Sequence, residues 1–302
     1  MATHRIADGL FLVDLDLTEP EGFRRFLSAW VIRDGPAAVV VDPGPAATLS
    51  ALLAGLDELG VTRVEAVLLT HVHIDHAGGT GLLLERHPCA RVVCHPRAVA
   101  HLVDPSALWE GSRKVLGALA EAYGPIAPVP PERVGFCPTL QAAGCEVAAF
   151  PTPGHAPHHL AFRAGAWFFA GELGGVRYPL PAGDYWRPAT PPPFRHDVFR
   201  ESLEAVKGRA GGLCCLGHYG AVDDAEGVLA QASEQLDLWV AAVRRHRRTS
   251  GDEFEDAVLA DLRAEDPRFG RFPDLPADVR NRERYFLSNT LKGLRGWVEK
   301  EG

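Results

Sequence analysis

Between Thr70 and Gly79 the chain reads Thr-His-Val-His-Ile-Asp-His-Ala-Gly-Gly, which places three imidazoles and a carboxylate within residues 71–76. That density, directly after an apolar segment, predicts a metal site. Imidazole nitrogen and carboxylate oxygen suit Zn²⁺, Fe or Mn, and the run contains no sulfur, which argues against a structural thiolate finger. Residues 64–70 read as a buried strand and 77–86 as an amphipathic helix, so the cluster occupies a strand-to-helix turn. In an extended segment residues i and i+2 project to the same side, which lets His71 and His73 grip one ion while Asp75 and His76 turn towards a second.

Two later histidines sit where the backbone is constrained. His155 follows Thr152-Pro153-Gly154, a stiff turn that fixes the direction of its imidazole. His218 follows the apolar strand 213–216 and has Gly217 before it and Gly220 shortly after, which permits close backbone approach to an ion. His158 and His159 read as supports or solvent-facing residues rather than ligands. His87, His95, His101 and His196 read as capping, packing or surface residues, since counting every histidine as a ligand would oversaturate two metals.

The HxHxDH run, followed in order by Thr152-Pro153-Gly154-His155, Ala170-Gly171-Glu172 and Leu216-Gly217-His218, resembles the metallo-β-lactamase superfamily of metal-dependent hydrolases. The pattern covers about residues 8–220. The resemblance implies an α/β fold, an αββα sandwich, with a two-metal site at one edge. It implies that His71, His73 and His155 hold one metal and that Asp75, His76 and His218 hold the other. It also implies that Asp42, at the end of strand 37–42, supports the metal-binding loop from behind. Members usually carry an aspartate as the bridging carboxylate, whereas this chain has Glu172. Glutamate adds a methylene and about 1.5 Å of reach. Three outcomes stay open: Glu172 bridges, binds one metal only, or leaves the second site weak and partly empty.

At 302 residues and 46% hydrophobic content the chain is long enough for one large core with an appended subdomain. The expected division is a catalytic domain over 1–222 and a helical extension over 223–302. A net charge of −8 offers no broad attraction for a phosphate backbone, so no nucleic-acid partner is expected. The N-terminus lacks the basic and apolar regions of a signal peptide and no run reaches the length of a membrane span, so a cytoplasmic location is expected, with no membrane partner. The six cysteines lie in or beside apolar runs and read as buried free thiols.

Strands are expected over 9–14, 28–33, 37–42, 91–94, 146–150, 159–163 and 166–170, with helices over 46–59, 96–102 and 106–123. Residues 124–138 read as an extended surface crossing. Residues 174–197, proline-rich and irregular, are expected to form a wall or lid. Within and beyond that wall, Tyr178, Tyr185, Trp186, Arg187, Arg195 and Tyr219 are the expected substrate contacts. Helices beginning near Asp223-Asp224, over 252–264 and over 278–299 would cap the site or offer a homodimer surface. The basic run Arg244–Arg248 reads as a solvated helix end.

Two divalent cations about 3.5 Å apart, Zn²⁺ foremost with Fe or Mn as alternatives, can activate a shared water near neutral pH. Asp75 would then orient that water or relay its proton. The expected activity is hydrolysis of a small thioester, ester or lactone, and no protein nucleophile is needed. The chain has no GxSxG. A phosphodiesterase or nuclease on the same centre is the alternative, followed by a regulatory protein that keeps its metals and works through binding.

Overall fold

The computed structural model describes residues 3–301; Met1, Ala2 and Gly302 lie outside them. Two antiparallel pairs open the fold: β1 (Thr3–Ala7) with β2 (Leu10–Asp14), and β3 (Ser28–Asp34) with β4 (Ala37–Val41), the second pair turning at Gly35 as the Asp-Gly signal indicates. Then the chain crosses over helices and the added strands run parallel. After α1 (Leu49–Glu58) comes β5 (Arg63–Leu68), then α2 (Ile74–Ala77) and α3 (Thr80–Arg86) lead to β6 (Arg91–Val93). Next, α4 (Val99–Val103), α5 (Ser106–Leu116) and α6 (Ala118–Tyr123) precede β7 (Val134–Gly135), closing a seven-stranded sheet in sequence order.

The second sheet is built from β8 (Thr139–Ala142), β9 (Cys145–Pro151), β10 (Leu160–Ala164), β11 (Trp167–Tyr178), β12 (Tyr185–Arg187), β13 (Leu213–His218) and β14 (Ala221–Asp223), with α7 (His196–Val206) preceding β13. Its order is β14-β13-β11-β10-β9-β8, and β12 folds back on the far end of β11. The period of two along each strand sorts side chains into layers. On β3, Trp30 and Ile32 join Phe162, Phe169 and Cys215 between the sheets, while Ala29 and Val31 pack with Leu52 and Leu56 of α1. Cys214, next to Cys215, faces the other way, with Phe168 and Leu216 towards the C-terminal helices. The result is helix, sheet, sheet, helix, the expected αββα order.

The outer helical layer is α8 (Ala225–Arg245), α9 (Gly251–Glu265) and α10 (Ala277–Glu301). Asp224 caps α8 by accepting from the Gly227 amide at 3.0 Å. Trp239, Val258, Leu287 and Leu291 share one apolar core with Phe168 and Leu216 of the second sheet, so residues beyond 223 are packed into the sandwich. No helix among the described residues is long and apolar enough to cross a membrane.

Several elements differ from expectation. The single helix over 106–123 is divided at Gly117, whose φ of +56° breaks the helical run. Residues 174–178 continue β11 rather than starting an irregular loop, because β12 supplies them with an antiparallel partner. Helix α7 had no counterpart in the expected elements. Of the cysteines, Cys94, Cys214 and Cys215 are buried, Cys137 and Cys145 half-buried and Cys89 exposed, all as free thiols.

Candidate metal centre

The strand ends deliver seven side chains to one point. His71 and His73 lie between β5 and α2, Asp75 and His76 are on α2 itself, His155 sits in the turn between β9 and β10, Glu172 is on β11 and His218 ends β13. The nitrogens of the first group crowd together: His71 Nε2 lies 3.0 Å from His73 Nδ1, and His155 Nε2 lies 3.1 Å from that same atom. In the second group, His76 Nε2 and His218 Nε2 are 3.3 Å apart, with Asp75 Oδ2 at 3.8 and 3.7 Å from them. In each triad the candidate ligand atoms all fall within 4.8 Å of one another.

In four of the five rings the far side fixes which nitrogen faces inward. Asp42 accepts from the Thr70 amide at 2.8 Å and from the Thr70 hydroxyl at 2.6 Å. Having donated its proton there, the hydroxyl must accept from His71 Nδ1 at 3.0 Å, which leaves His71 Nε2 with its lone pair inward. The second oxygen of Asp42 also accepts from His76 Nδ1 at 3.1 Å. Backbone carbonyls do the same for the other two rings: Ala189 accepts from His155 Nδ1 and Phe26 from His218 Nδ1, both at 2.9 Å. Such outward bonds raise ligand basicity and hold ring orientation.

Glu172 lies between the triads. Its Oε1 is 2.7 Å from His218 Nε2 and 3.2 Å from His76 Nε2, while Oε2 is buried with no hydrogen-bond partner among the described residues. The backbone just before Glu172 is irregular. The pairing of β11 with β13 shifts register on both sides of Gly171, whose φ is +52°, and a Cβ there would lie 2.5 Å from His159 Nε2. His159 holds this bulge: its Nε2 accepts from the Glu172 amide at 3.0 Å, and its Nδ1 donates to Thr152 Oγ1 at 2.8 Å. It is a positioning residue behind the carboxylate. The signal for that role was its place immediately before strand β10, facing inward.

Electrostatics agree with a cation site. Burial, helped by neighbouring imidazoles, holds His71 and His73 well below the ordinary histidine value, and burial lowers His155 too. For Glu172 burial pushes up, yet His218 and His155 hold its carboxyl well below the usual range. Neutral imidazoles and an ionised carboxylate are the protonation states a divalent ion requires, whereas for His76 burial pushes down, yet Asp75, Asp42 and Glu172 hold it well above the ordinary value, so an ion in the second triad would displace a proton there. The inward lone pairs, the converging donor set and the orphaned Oε2 fit metal ions in both triads.

Beside the centre lies a cavity of about 380 Å³. Phe26, Ile74, Leu108, Leu116, Val176 and Phe286 make much of its wall, and His73, Asp75, His155, Glu172 and His218 face it from the metal centre. Of the six expected substrate contacts, Arg187 lines this cavity and the other five do not. Tyr185 donates to Glu283 at 3.1 Å, Trp186 is buried with its carbonyl accepting from Gln235, and Tyr178 accepts from Arg24. Arg195 is exposed and pairs with Asp197, while Tyr219 donates to Asp14. For Tyr178, Tyr185 and Trp186 the physical reason is the β11–β12 hairpin, which turns these side chains into the core shared with the C-terminal helices. Residues 189–192 of the same segment do wall the cavity, as do Phe286, Asn289 and Thr290 of α10 and His101 of α4.

The order of the motif, the two stacked sheets and this edge-on site define a fold class, and the family model for the metallo-beta-lactamase superfamily matches residues 22–218. The chain belongs to that superfamily. Among curated proteins it is similar to the hydroxyacylglutathione hydrolase of Stenotrophomonas maltophilia strain R551-3, 35% identical over 142 residues, or 47% of this chain and 43% of that protein. The hydroxyacylglutathione hydrolase of Cupriavidus taiwanensis is 34% identical over 148 residues, 47% of each chain. The chain thus spans about half the length of the curated relatives it matches. In structure it is similar to an archaeal metallo-beta-lactamase superfamily protein from Sulfolobus tokodaii, with a TM-score of 0.69 at 20% identity, covering 95% of this chain and 98% of that one.

Proposed function

We propose that this protein is a metal-dependent hydrolase acting on an acyl bond of a small molecule, a thioester, ester or lactone, with two divalent cations, Zn²⁺ foremost. The observation that carries the reading is the convergence of two histidine-rich triads on one wall of an apolar cavity. Cations held there would polarise the acyl oxygen and lower the pKa of water towards neutrality. His71, His73 and His155 would hold one of them, Asp75, His76 and His218 the other, with Glu172 between the two. The residues themselves do the rest. Apolar walls exclude bulk water, the rings are locked by their outward hydrogen bonds, and Asp75 faces the cavity with a carboxylate able to take a proton. In the net reaction water adds to the acyl carbon, the C–S or C–O bond breaks, and the departing thiol or alcohol takes the proton.

A phosphodiesterase would need cationic groups to grip its substrate. Among the described residues on the cavity wall, Arg187 is the one lysine or arginine, and it is bound to Glu283 at 2.5 Å. Assaying protein purified without added metal on acyl thioesters, lactones and bis-p-nitrophenyl phosphate separates the readings. Close to two metal equivalents and turnover of an acyl substrate are expected; activity confined to the phosphodiester would overturn the acyl assignment.

The reach of Glu172 gives a second test. Shortening it to aspartate withdraws the carboxylate by about 1.5 Å from His218 and His76, which it now reaches. Glu172→Asp is expected to retain one metal equivalent and lose much of the second, by elemental analysis. Two full equivalents and an unchanged rate would show that carboxylate reach is not tuned.

A further inference from the structure

The cavity beside the metal centre has a polar inventory that narrows its ligand. Apart from the seven side chains of the metal centre, its one strongly basic group is Arg187. That guanidinium is buried and already serves Glu283 at 2.5 Å, with further bonds to the Pro188 carbonyl and Thr290 Oγ1. A glutathione thioester presents two carboxylates, and this wall offers neither of them an unpaired lysine or arginine, so a carboxylate that left water here would have no charge partner. The similarity to hydroxyacylglutathione hydrolases therefore does not carry over easily to this wall. Part of the wall, Phe286, Asn289 and Thr290, comes from α10, beyond residue 218 where the family match ends.

Outside the metal centre, one fully buried hydroxyl on the wall lacks a partner among the described residues. Tyr123, at the end of α6, lines the cavity, is 1% exposed, and its hydroxyl has no hydrogen-bond partner among the described residues. Its ring is fixed by an edge contact with Phe23 at 6.2 Å, so it cannot swing out to solvent without disturbing the core. A buried hydroxyl left unpaired is costly, and native structures rarely keep one without a reason. Burial also keeps the phenol protonated, with its value pushed well above the ordinary one, so it is available as a donor.

We propose that this cavity binds an uncharged, largely apolar acyl arm, that the Tyr123 hydroxyl donates to an oxygen of that arm, and that glutathione thioesters are not the preferred substrates. The proposal rests on the hydrolase reading for its catalytic arm, but ligand binding tests it separately. Val115 and Leu116 of α5 lie on the same wall, and Val115 is 62% exposed, which places an apolar rim where such an arm would enter. Substrate selection then rests on apolar fit plus one hydrogen bond, the usual composition of a small-molecule pocket.

The experiment has two arms, both on metal-loaded protein. In the first, N-acetylcysteamine thioesters from acetyl to decanoyl are compared with S-lactoylglutathione. The expected kcat/KM rises about two- to fourfold per methylene until the cavity is filled and exceeds that for S-lactoylglutathione at least about tenfold. In the second, calorimetry follows binding of 2-alkanones from pentan-2-one to nonan-2-one, which keep the arm and the carbonyl but cannot be hydrolysed. Affinity should rise with chain length and fall about five- to tenfold in Tyr123→Phe. The same variant should unfold at an equal or higher temperature, because an unpaired hydroxyl has been removed; a structural hydroxyl would instead lower it. Preference for S-lactoylglutathione, rates flat with chain length, or ketone binding indifferent to Tyr123→Phe would each overturn the proposal. Inactivity on every thioester with ketone binding intact would remove thioesters from the hydrolase reading and leave the cavity assignment standing.

Discussion

His73→Ala is expected to lower kcat/KM by at least about 10³-fold, the scale on which a metal-activated water differs from an unactivated one. The geometry explains why this histidine matters. Its Nδ1 is the shared corner of the first triad, 3.0 Å from His71 Nε2 and 3.1 Å from His155 Nε2. Without it two nitrogens remain, too few for a divalent ion that is to keep an open position. The fold should survive. His73 occupies the N-cap position of α2, but its side chain makes no capping hydrogen bond, so alanine costs the helix nothing specific. The measurements are elemental analysis, far-ultraviolet circular dichroism and turnover of the best acyl substrate. Metal content should fall by about one equivalent with an unchanged dichroism spectrum, on the ligand count above. Turnover retained at the wild-type rate would remove His73 from the site and the proposed chemistry with it.

The metal centre was legible from sequence for a specific physical reason. Four of its five histidines sit where a strand gives way to a turn, with His76 on the short helix that follows, and such positions are marked by local features: the apolar run before His71, the prolines before His155, the glycine before His218. The αββα layering followed from the resemblance that the ordered motif carries, since strands such as β4, buried on both faces, have no polar alternation to show which side faces which layer. What sequence could not supply is the destination of a side chain whose partner is remote. Tyr185 and Arg187 looked like substrate contacts in a proline-rich loop, yet both meet Glu283, 98 and 96 residues later. Similarly, nothing near Tyr123 distinguishes its hydroxyl from a surface one. Only the closure of α5, α6 and α10 around one cavity shows that it is buried and unpaired. Gly171 is an intermediate case: the exchange of aspartate for glutamate after it was visible, whereas the bulge at Gly171 depends on pairing with β13.

Glu283→Gln is expected to destabilise the protein by about 3–5 kcal/mol, the cost of leaving buried charge without its partner. Glu283 is fully buried on α10. Its Oε2 accepts from Arg187 Nε at 2.5 Å and from Tyr185, and its Oε1 accepts from Arg282 Nε and Nη2 at 3.0 and 2.9 Å. Glutamine keeps the volume and removes the charge, so two buried guanidinium groups lose their counterion. Urea unfolding reads the loss directly. Acid titration gives the same quantity independently. Burial alone would raise the carboxyl, but Arg187 and Arg282 bring it down to about 2 from an ordinary 4.5. A depressed carboxyl contributes its stability in full above the ordinary value and loses it as pH falls towards 2. The wild-type protein should therefore lose about 3 kcal/mol more than Glu283→Gln between about pH 4.5 and 2. The effect should also reach the metal centre. Arg282 stacks over the Phe26 ring at 4.1 Å, and the Phe26 carbonyl holds His218 Nδ1 at 2.9 Å, so loosening α10 loosens a ligand of the second triad. Weaker retention of the second metal in Glu283→Gln, measured by chelator competition, is the expected result. Full retention alongside the stability loss would show that the C-terminal helix holds the fold but not the ligand.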